Sequence, residues 1–283
     1  MSELGKTDPP EDGVYQNVSM AEYRAWDAIN FSSIAKGRKS MLAMHHAMTQ
    51  PSESTASQGL GTAVHAAVLE PDLFDSMPVF DGNRTARKTI AAFEAEHGEC
   101  VTAAERESAM RLRDILMADS EAQRIVKNTL HEVCLVWRDP AYGVGKIRLD
   151  MFGNYLFADI KTARDISFPA MDSSFFSFYK WGYYMQFGWA REAIEHLEGH
   201  ANGWEGWLLA VETGDVPDAY TREVEGAVMM KGQEDAREIA KTYNTHRVMG
   251  WFPGVARGDI GKIDLPTWMQ PDPDAINMEG ISA

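Results

Sequence analysis

Asp150, followed after eight residues by Asp159-Ile160-Lys161, is the pairing in this sequence best suited to chemistry. Successive side chains of a strand point to opposite faces, so Asp159 and Lys161 share a side. If the RLD and ADIK runs pair as antiparallel strands, Asp150 lies beside them, among Leu149, Met151, Phe157, Ala158 and Ile160. Two carboxylates brought together in apolar surroundings repel unless a proton or a cation stands between them. Hard oxygen donors of this kind suit Mg2+ or Mn2+. A plain ion pair between Asp159 and Lys161, with Asp150 at a strand end, accounts for the same spacing, because a D-x-K triplet is common.

His65 stands in Gly-Thr-Ala-Val-His-Ala-Ala-Val-Leu, whose small apolar residues predict a closely packed helix stopped by Pro71. A histidine there is either a satisfied core residue or a ligand for a transition metal. Glu132 opens the first of three β-rich runs, as an exposed strand-end acid or as a further ligand. Gln186 lies on the aromatic stretch FSFYKWGYYMQFGWAREAI, whose rings read as core. Arg84, Arg87 and Lys88 form a local basic cluster, and Lys146, Arg148 and Arg164 flank the acid pair. As phosphate-holding residues these would line a DNA path. His196 and His200 stand four apart, like zinc ligands on a helix, but Gly199 between them points to a helix end. No Walker loop, G-x-G-x-x-G or G-x-S-x-G is present, so nucleotide-cofactor and nucleophile-elbow chemistry have no motif support.

Several elements must position these residues. Residues 1–14 are polar and Pro-rich and predict a mobile tail. Ser19 is placed to cap a helix over MAEYRAWDAI, with Glu22 at the capping-box position, and Ser32 or Ser33 to cap SIAKGRKSMLAMHHAM. AAERESAMRLRDILMADSEAQRIVKN reads as a long helix with a break near Asp119. HEVCLVW, KIRLDMFG and YLFADIKTA read as three strands, with Gly153-Asn154 as a tight connection. A helix over about residues 175–197, a strand GWLLAVET and a helix from Val224 to Met249 follow. The sum is an α/β fold: a short mixed sheet flanked by helices, with a helical N-terminal portion. It forms one domain over residues 15–270, with flexible tails at 1–14 and 271–283.

With 283 residues, 45% of them hydrophobic, the chain can bury a core without staples. Its two cysteines, Cys100 and Cys134, make no disulfide framework, zinc knuckle or four-thiolate cluster, which fits a reducing cytoplasm. The start, MSELGKTDPPEDG, has no apolar run and does not read as a signal peptide. No stretch approaches the ~20 apolar residues of a membrane span. The formal charge of −15 argues against holding nucleic acid by bulk attraction. A local basic strip and bound cations would have to reverse the field near a site.

The segments GLGTAVHAAVLEP, RLD, ADIKTA and YYMQFGWA occur in the order found in the RecE-type exonucleases. These comprise the C-terminal nuclease domain of exodeoxyribonuclease VIII and its phage-encoded relatives, in the PD-(D/E)xK superfamily. INFSSIAKGRKSMLAM, NRTARK, LLAVETGDVPDAY and LPTWM extend the likeness, so that the chain resembles the family over roughly residues 14–270. The resemblance implies a PD-(D/E)xK core. It also implies that His65, Asp150, Asp159 and the Ile160 carbonyl contact Mg2+ or Mn2+, and that Lys161 is the catalytic lysine. Gln186 matches the glutamine of a Q-x-x-x-Y motif, but the tyrosine position holds Ala190, with Tyr183 or Tyr184 as the nearby replacement.

The activity so implied is metal-dependent 5′→3′ digestion of duplex DNA from an end, in phage-type recombination within a bacterial cytoplasm. The implied partners are double-stranded DNA ends, a single-strand annealing protein and further copies of the chain in a ring. The residues themselves leave three alternatives. One is a single-strand or structure-specific nuclease of the same superfamily. Another is a catalytically silent DNA-end-binding or recombinase-docking protein, and the third a metal hydrolase of small phosphate esters.

Overall fold

A computed structural model describes residues 5–50, 56–167 and 177–255. The chain enters on a short strand, β1 (Gly13–Tyr15), and passes through α1 (Met20–Ala25), α2 (Phe31–Gly37) and α3 (Met41–Thr49). After α4 (Ala56–Leu69) and α5 (Pro71–Ser76), a small parallel pair, β2 (Val79–Phe80) and β3 (Val101–Thr102), brackets α6 (Arg87–His97). Next, α7 (Ala103–Leu116) and α8 (Ser120–Lys127) lead into a meander of β4 (Leu130–Asp139), β5 (Gly143–Gly153) and β6 (Leu156–Ala163). Then α9 (Ser177–Lys180) and α10 (Tyr183–Glu198) carry the chain to β7 (Glu205–Glu212), and β8 (Ala219–Val224) precedes α11 (Gly226–Met249).

The main sheet runs β1-β4-β5-β6-β7-β8. Only β6 and β7 pair in parallel, which is why helices must connect them. Helices cover both faces, so the expected α/β class with a short mixed sheet and a helical N-terminal portion is what the chain adopts. On one face α2, α3, α10 and α11 bring Ile34, Met44, Trp189 and Ala240 onto Trp137, Leu149, Phe157 and Leu208. On the other, α4, α5, α7 and α8 bring Val64, Phe74, Leu112 and Ile125 onto Ala158, Ile160, Leu209 and Val211. The alternation along β6 thus turns Phe157, Asp159 and Lys161 toward α10. Helices α10 and α11 meet backbone to backbone. A Cβ on Gly188 would lie 2.0 Å from the Gln233 nitrogen, and one on Gly232 2.0 Å from the Tyr184 oxygen. No helix among the described residues is long and apolar enough to cross a membrane.

Local chemistry explains where the observed elements depart from the expected ones. Ser19 does cap α1, and Asp119 caps α8 at the expected break. Asn30, not Ser32 or Ser33, caps α2, in a capping box with Ser33. Ser40 accepts the Ala43 N–H and starts a second helix, splitting the single helix expected there. The β5–β6 turn is Asn154-Tyr155 rather than Gly153-Asn154: Gly153 pairs with Leu156, and Tyr155 takes φ 61°. The aromatic helix breaks at Gly182, whose φ of 78° is left-handed backbone that glycine adopts without a Cβ clash. Val224 closes β8 instead of opening the last helix. Residues 7–14 are not a free tail. The Thr7 N–H donates to the Ala25 carbonyl at 2.9 Å, and β1 pairs with β4 from Gly13. The tail expected at 271–283 lies outside the described residues.

Candidate metal and catalytic centre

The ladder between β5 and β6 runs only from the turn to Met151↔Ala158. Beyond it the strands part, and the Ile160 N–H donates to Asp150 Oδ2 at 2.8 Å. Small residues let α4 pack closely on the sheet here, and it delivers His65 to the opening. His65 Nδ1 lies 3.3 Å from Asp150 Oδ2, and Nε2 lies 3.0 Å from the Ile160 carbonyl oxygen. On the α10 side, Asp159 Oδ2 meets the Lys161 ammonium, and Gln186 Nε2 donates to Asp159 Oδ1 at 2.5 Å. The Lys161 ammonium also stands over the Tyr183 ring, 4.7 Å from its centroid. Sequence reasoning assigned that ring to the core or to the vacant tyrosine position. Tyr184 is instead bonded to Asp235, and Ala190 is buried in the core.

Burial and charge set these groups apart. Asp150 is 9% exposed and Asp159 6%. Burial raises the Asp159 pKa to about 6, aided by the Asp150 charge and opposed by Lys161. Burial also pushes Asp150 upward, but the charge and hydrogen bond of His65, with Lys161 and the Ile160 N–H, hold it below the ordinary carboxylate value. Burial would lower the His65 pKa, yet the Asp150 carboxylate carries it up to about 9. Desolvation works against the Lys161 charge, and the two aspartates more than offset it.

Glu132 completes the cluster. Its neighbours pair His131↔Met151 and Val133↔Leu149, so Glu132 stands across from Asp150. Like charges directly opposite are unfavourable. Glu132 also has φ 55°, a left-handed conformation that costs a non-glycine residue about 1–3 kcal/mol. The Arg148 guanidinium closes on its carboxylate and donates to the Val18 carbonyl at 3.0 Å. Burial and the Asp150 charge raise the Glu132 pKa despite Arg148.

Donor atoms of His65, Glu132 and Asp150 all lie within 4.8 Å of one another. Asp159 is drawn aside, but its buried Oδ2 accepts no hydrogen bond beyond the Lys161 ion pair. One imidazole and several carboxylates, balanced here by the His65, Arg148 and Lys161 charges, are donor types that fit a divalent cation.

The structure gives internal partners to three of the six expected DNA-contacting residues, Arg84, Lys146 and Arg148. Lys146 is 1% exposed, and its ammonium donates to the carbonyls of Tyr23 and Trp26, each at 2.7 Å. Burial brings its pKa down to about 7. It clamps the N-terminal segment to β5 and has no phosphate to reach. Arg84 is spent on Glu105, at 2.5 and 2.8 Å, and on the Cys100 carbonyl. Arg148 is spent on Glu132. Lys88 and Arg164 are exposed, and the Arg87 side chain lies outside the described residues.

A second donor group, Asp139, Glu192 and His196, is also within 4.8 Å. Arg237 already fills it, at 3.2 Å from Asp139 and 3.1 Å from Glu192. His196 therefore serves an internal ion network, which His200 does not join.

Comparison with known proteins follows the fold. The family model described as "PDDEXK-like domain of unknown function (DUF3799)" matches residues 28–256. Among solved structures, a "Putative exonuclease" from Eubacterium rectale aligns over 94% of this chain and 97% of its own, at 11% identity and a TM-score of 0.59. That likeness is one of fold. The solved structure of SSO0001 covers 64% of this chain and 86% of its own at 18% identity, with a TM-score of 0.24, too low to carry an argument. A comparison with curated proteins gives no match.

Proposed function

The chain belongs to the PDDEXK-like domain family of unknown function, and from there we propose that it is a divalent-metal-dependent exodeoxyribonuclease acting on duplex DNA ends. The observation that carries this reading is the convergence of His65, Asp150, Asp159 and Lys161 where β5 and β6 part. The RecE-type resemblance supports 5′→3′ polarity and a role in phage-type recombination inside a bacterial host. With it come a single-strand annealing protein as partner and a homo-oligomeric ring.

His65, Asp150, Asp159 and the Ile160 carbonyl would hold Mg2+ or Mn2+, with Glu132 beside them. A cation bound there supplies polarisation of the phosphoryl oxygen and a lowered pKa for a coordinated water. Lys161 stays protonated between two aspartates and donates to the oxygens that gain charge as the phosphodiester breaks. Gln186 fixes the Asp159 carboxylate by its hydrogen bond.

The test is digestion of linear duplex labelled at the 5′ or the 3′ end, beside circular duplex, with Mg2+, Mn2+ or EDTA. Linear duplex is expected to lose its 5′ label first, circles to survive, and EDTA to stop the reaction. Cleavage of circles would overturn the end requirement. A folded protein that cuts nothing with either metal would support the silent end-binding alternative.

A further inference from the structure

With Arg84, Arg148 and Lys146 committed internally, an acidic chain needs another surface to hold DNA. The structure offers one beside the site. Helix α2 begins at the mouth of the cavity, where Asn30 and Ser32 line the same space as His65, Asp150 and Gln186. It ends against the α9–α10 corner, where Arg38 Nη1 donates to the Lys180 carbonyl at 2.7 Å. Lys180 Nζ stands 5.5 Å from the centroid of the Trp181 ring. Trp181 is 57% exposed, although an indole on a free surface has no core to join. Two residues on, Tyr183 underlies Lys161.

The corner is fixed as well as exposed. Gly182 takes left-handed backbone, and a Cβ there would come within 3.0 Å of Arg38 Nη1. Lys36, Arg38, Lys39 and Lys180 are all exposed, and none forms an ion pair with an acid among the described residues. Asp235, which lies on this flank, is bonded to Tyr184 and Lys231. Cations without counter-ions next to an exposed aromatic ring match a nucleic-acid strand: phosphates for the cations and a base face for the ring.

We propose that Arg38, Lys180 and Trp181 form the track for the DNA strand entering the site, the two cations holding backbone phosphates and the indole stacking on a base. Stacking is sequence-tolerant, as digestion of arbitrary DNA requires. The inference rests on the nuclease reading, and the experiment separates the two. Anisotropy of a fluorescein-labelled single strand and of a blunt duplex would be measured with Ca2+ over a range of salt.

Trp181→Ala is expected to weaken single-strand binding about tenfold, with Trp181→Phe retaining most of the affinity. Lys180→Gln, a change at an exposed side chain, should flatten the slope of log K against log salt by about 0.7–0.9. Arg38→Gln should do the same, with its melting temperature followed because it also loses the bond to Lys180. Lys127→Gln, an equal charge change on α8, should leave the slope unaltered. Wild-type protein that binds neither probe would defeat the nuclease reading and the track together. Wild-type binding that all three track variants match within twofold would defeat the track alone.

Discussion

Lys161→Met is expected to slow single-turnover cleavage of duplex DNA by about 10²–10³ while leaving duplex affinity near wild type. Among the described residues the ammonium pairs with Asp159 and stands over the Tyr183 face. Methionine keeps the length of the stem and its packing against Tyr183. Asp159, whose pKa already stands at about 6, can take up a proton when its counter-ion goes, so the fold is not left with a bare buried charge. His65, Asp150 and Asp159 remain to bind Mn2+, which calorimetry would show. Asp159→Ala, by contrast, should lose both cleavage and much of the Mn2+ affinity. Near-normal cleavage by Lys161→Met would reduce the D-x-K triplet to an ion pair.

Gly188→Ala is expected to cost about 1–3 kcal/mol or more, a large penalty for one methyl group. The added carbon would meet the Gln233 nitrogen at 2.0 Å and the Gly232 carbonyl carbon at 2.1 Å. Backbone atoms cannot rotate aside as a side chain would, so α10 must move off α11. Because α10 carries Gln186 and Tyr183, the displacement also reaches Asp159 and Lys161. Urea denaturation and single-turnover cleavage should therefore fall together. Gly226→Ala is the control: its position has open space around it, and the substitution should be neutral or mildly stabilising. Wild-type stability in Gly188→Ala would mean that the two helices do not touch through their backbones.

What the sequence made legible was local. The three meander strands and the shared face of Asp159 and Lys161 follow from alternation and turn residues, which need no knowledge of distant partners. The split of α2 from α3, the break at Gly182 and strand β1 depend on competition between local hydrogen bonds and tertiary pairing. AYTREV, the edge strand β8, carries too many polar residues to announce itself. Lys146 was misjudged because its partners, the carbonyls of Tyr23 and Trp26, lie more than a hundred residues away. Arg84 and Arg148 read as surface cations because their acid partners, Glu105 and Glu132, lie on other elements that only the fold brings beside them. Glu132 carried one usable signal, an acid placed to face Asp150 across the first hairpin. Its left-handed backbone carried none.

The burial of Lys146 also bears on how much chain this fold needs. The family match begins at residue 28, but both carbonyls that receive the Lys146 protons precede it, as does the strand that covers the edge of β4. A protein trimmed to the matched boundary would keep every residue of the candidate site. It would nevertheless uncover Lys146 and the Cys134 and Val136 side chains that Tyr23 and Trp26 pack against, and bare a sheet edge open to pairing with other chains. Removal of residues 1–27 is therefore expected to lower the melting temperature and promote aggregation. Lys146→Met should destabilise the full chain, where the two carbonyls lose their donor, and change the trimmed one little, a loss of effect that melting curves of the four proteins would display. If trimming left the melting temperature unchanged with Lys146 in place, the clamp would have no energetic weight. A boundary drawn at the matched residues leaves out the segment that receives Lys146 and covers the edge of β4.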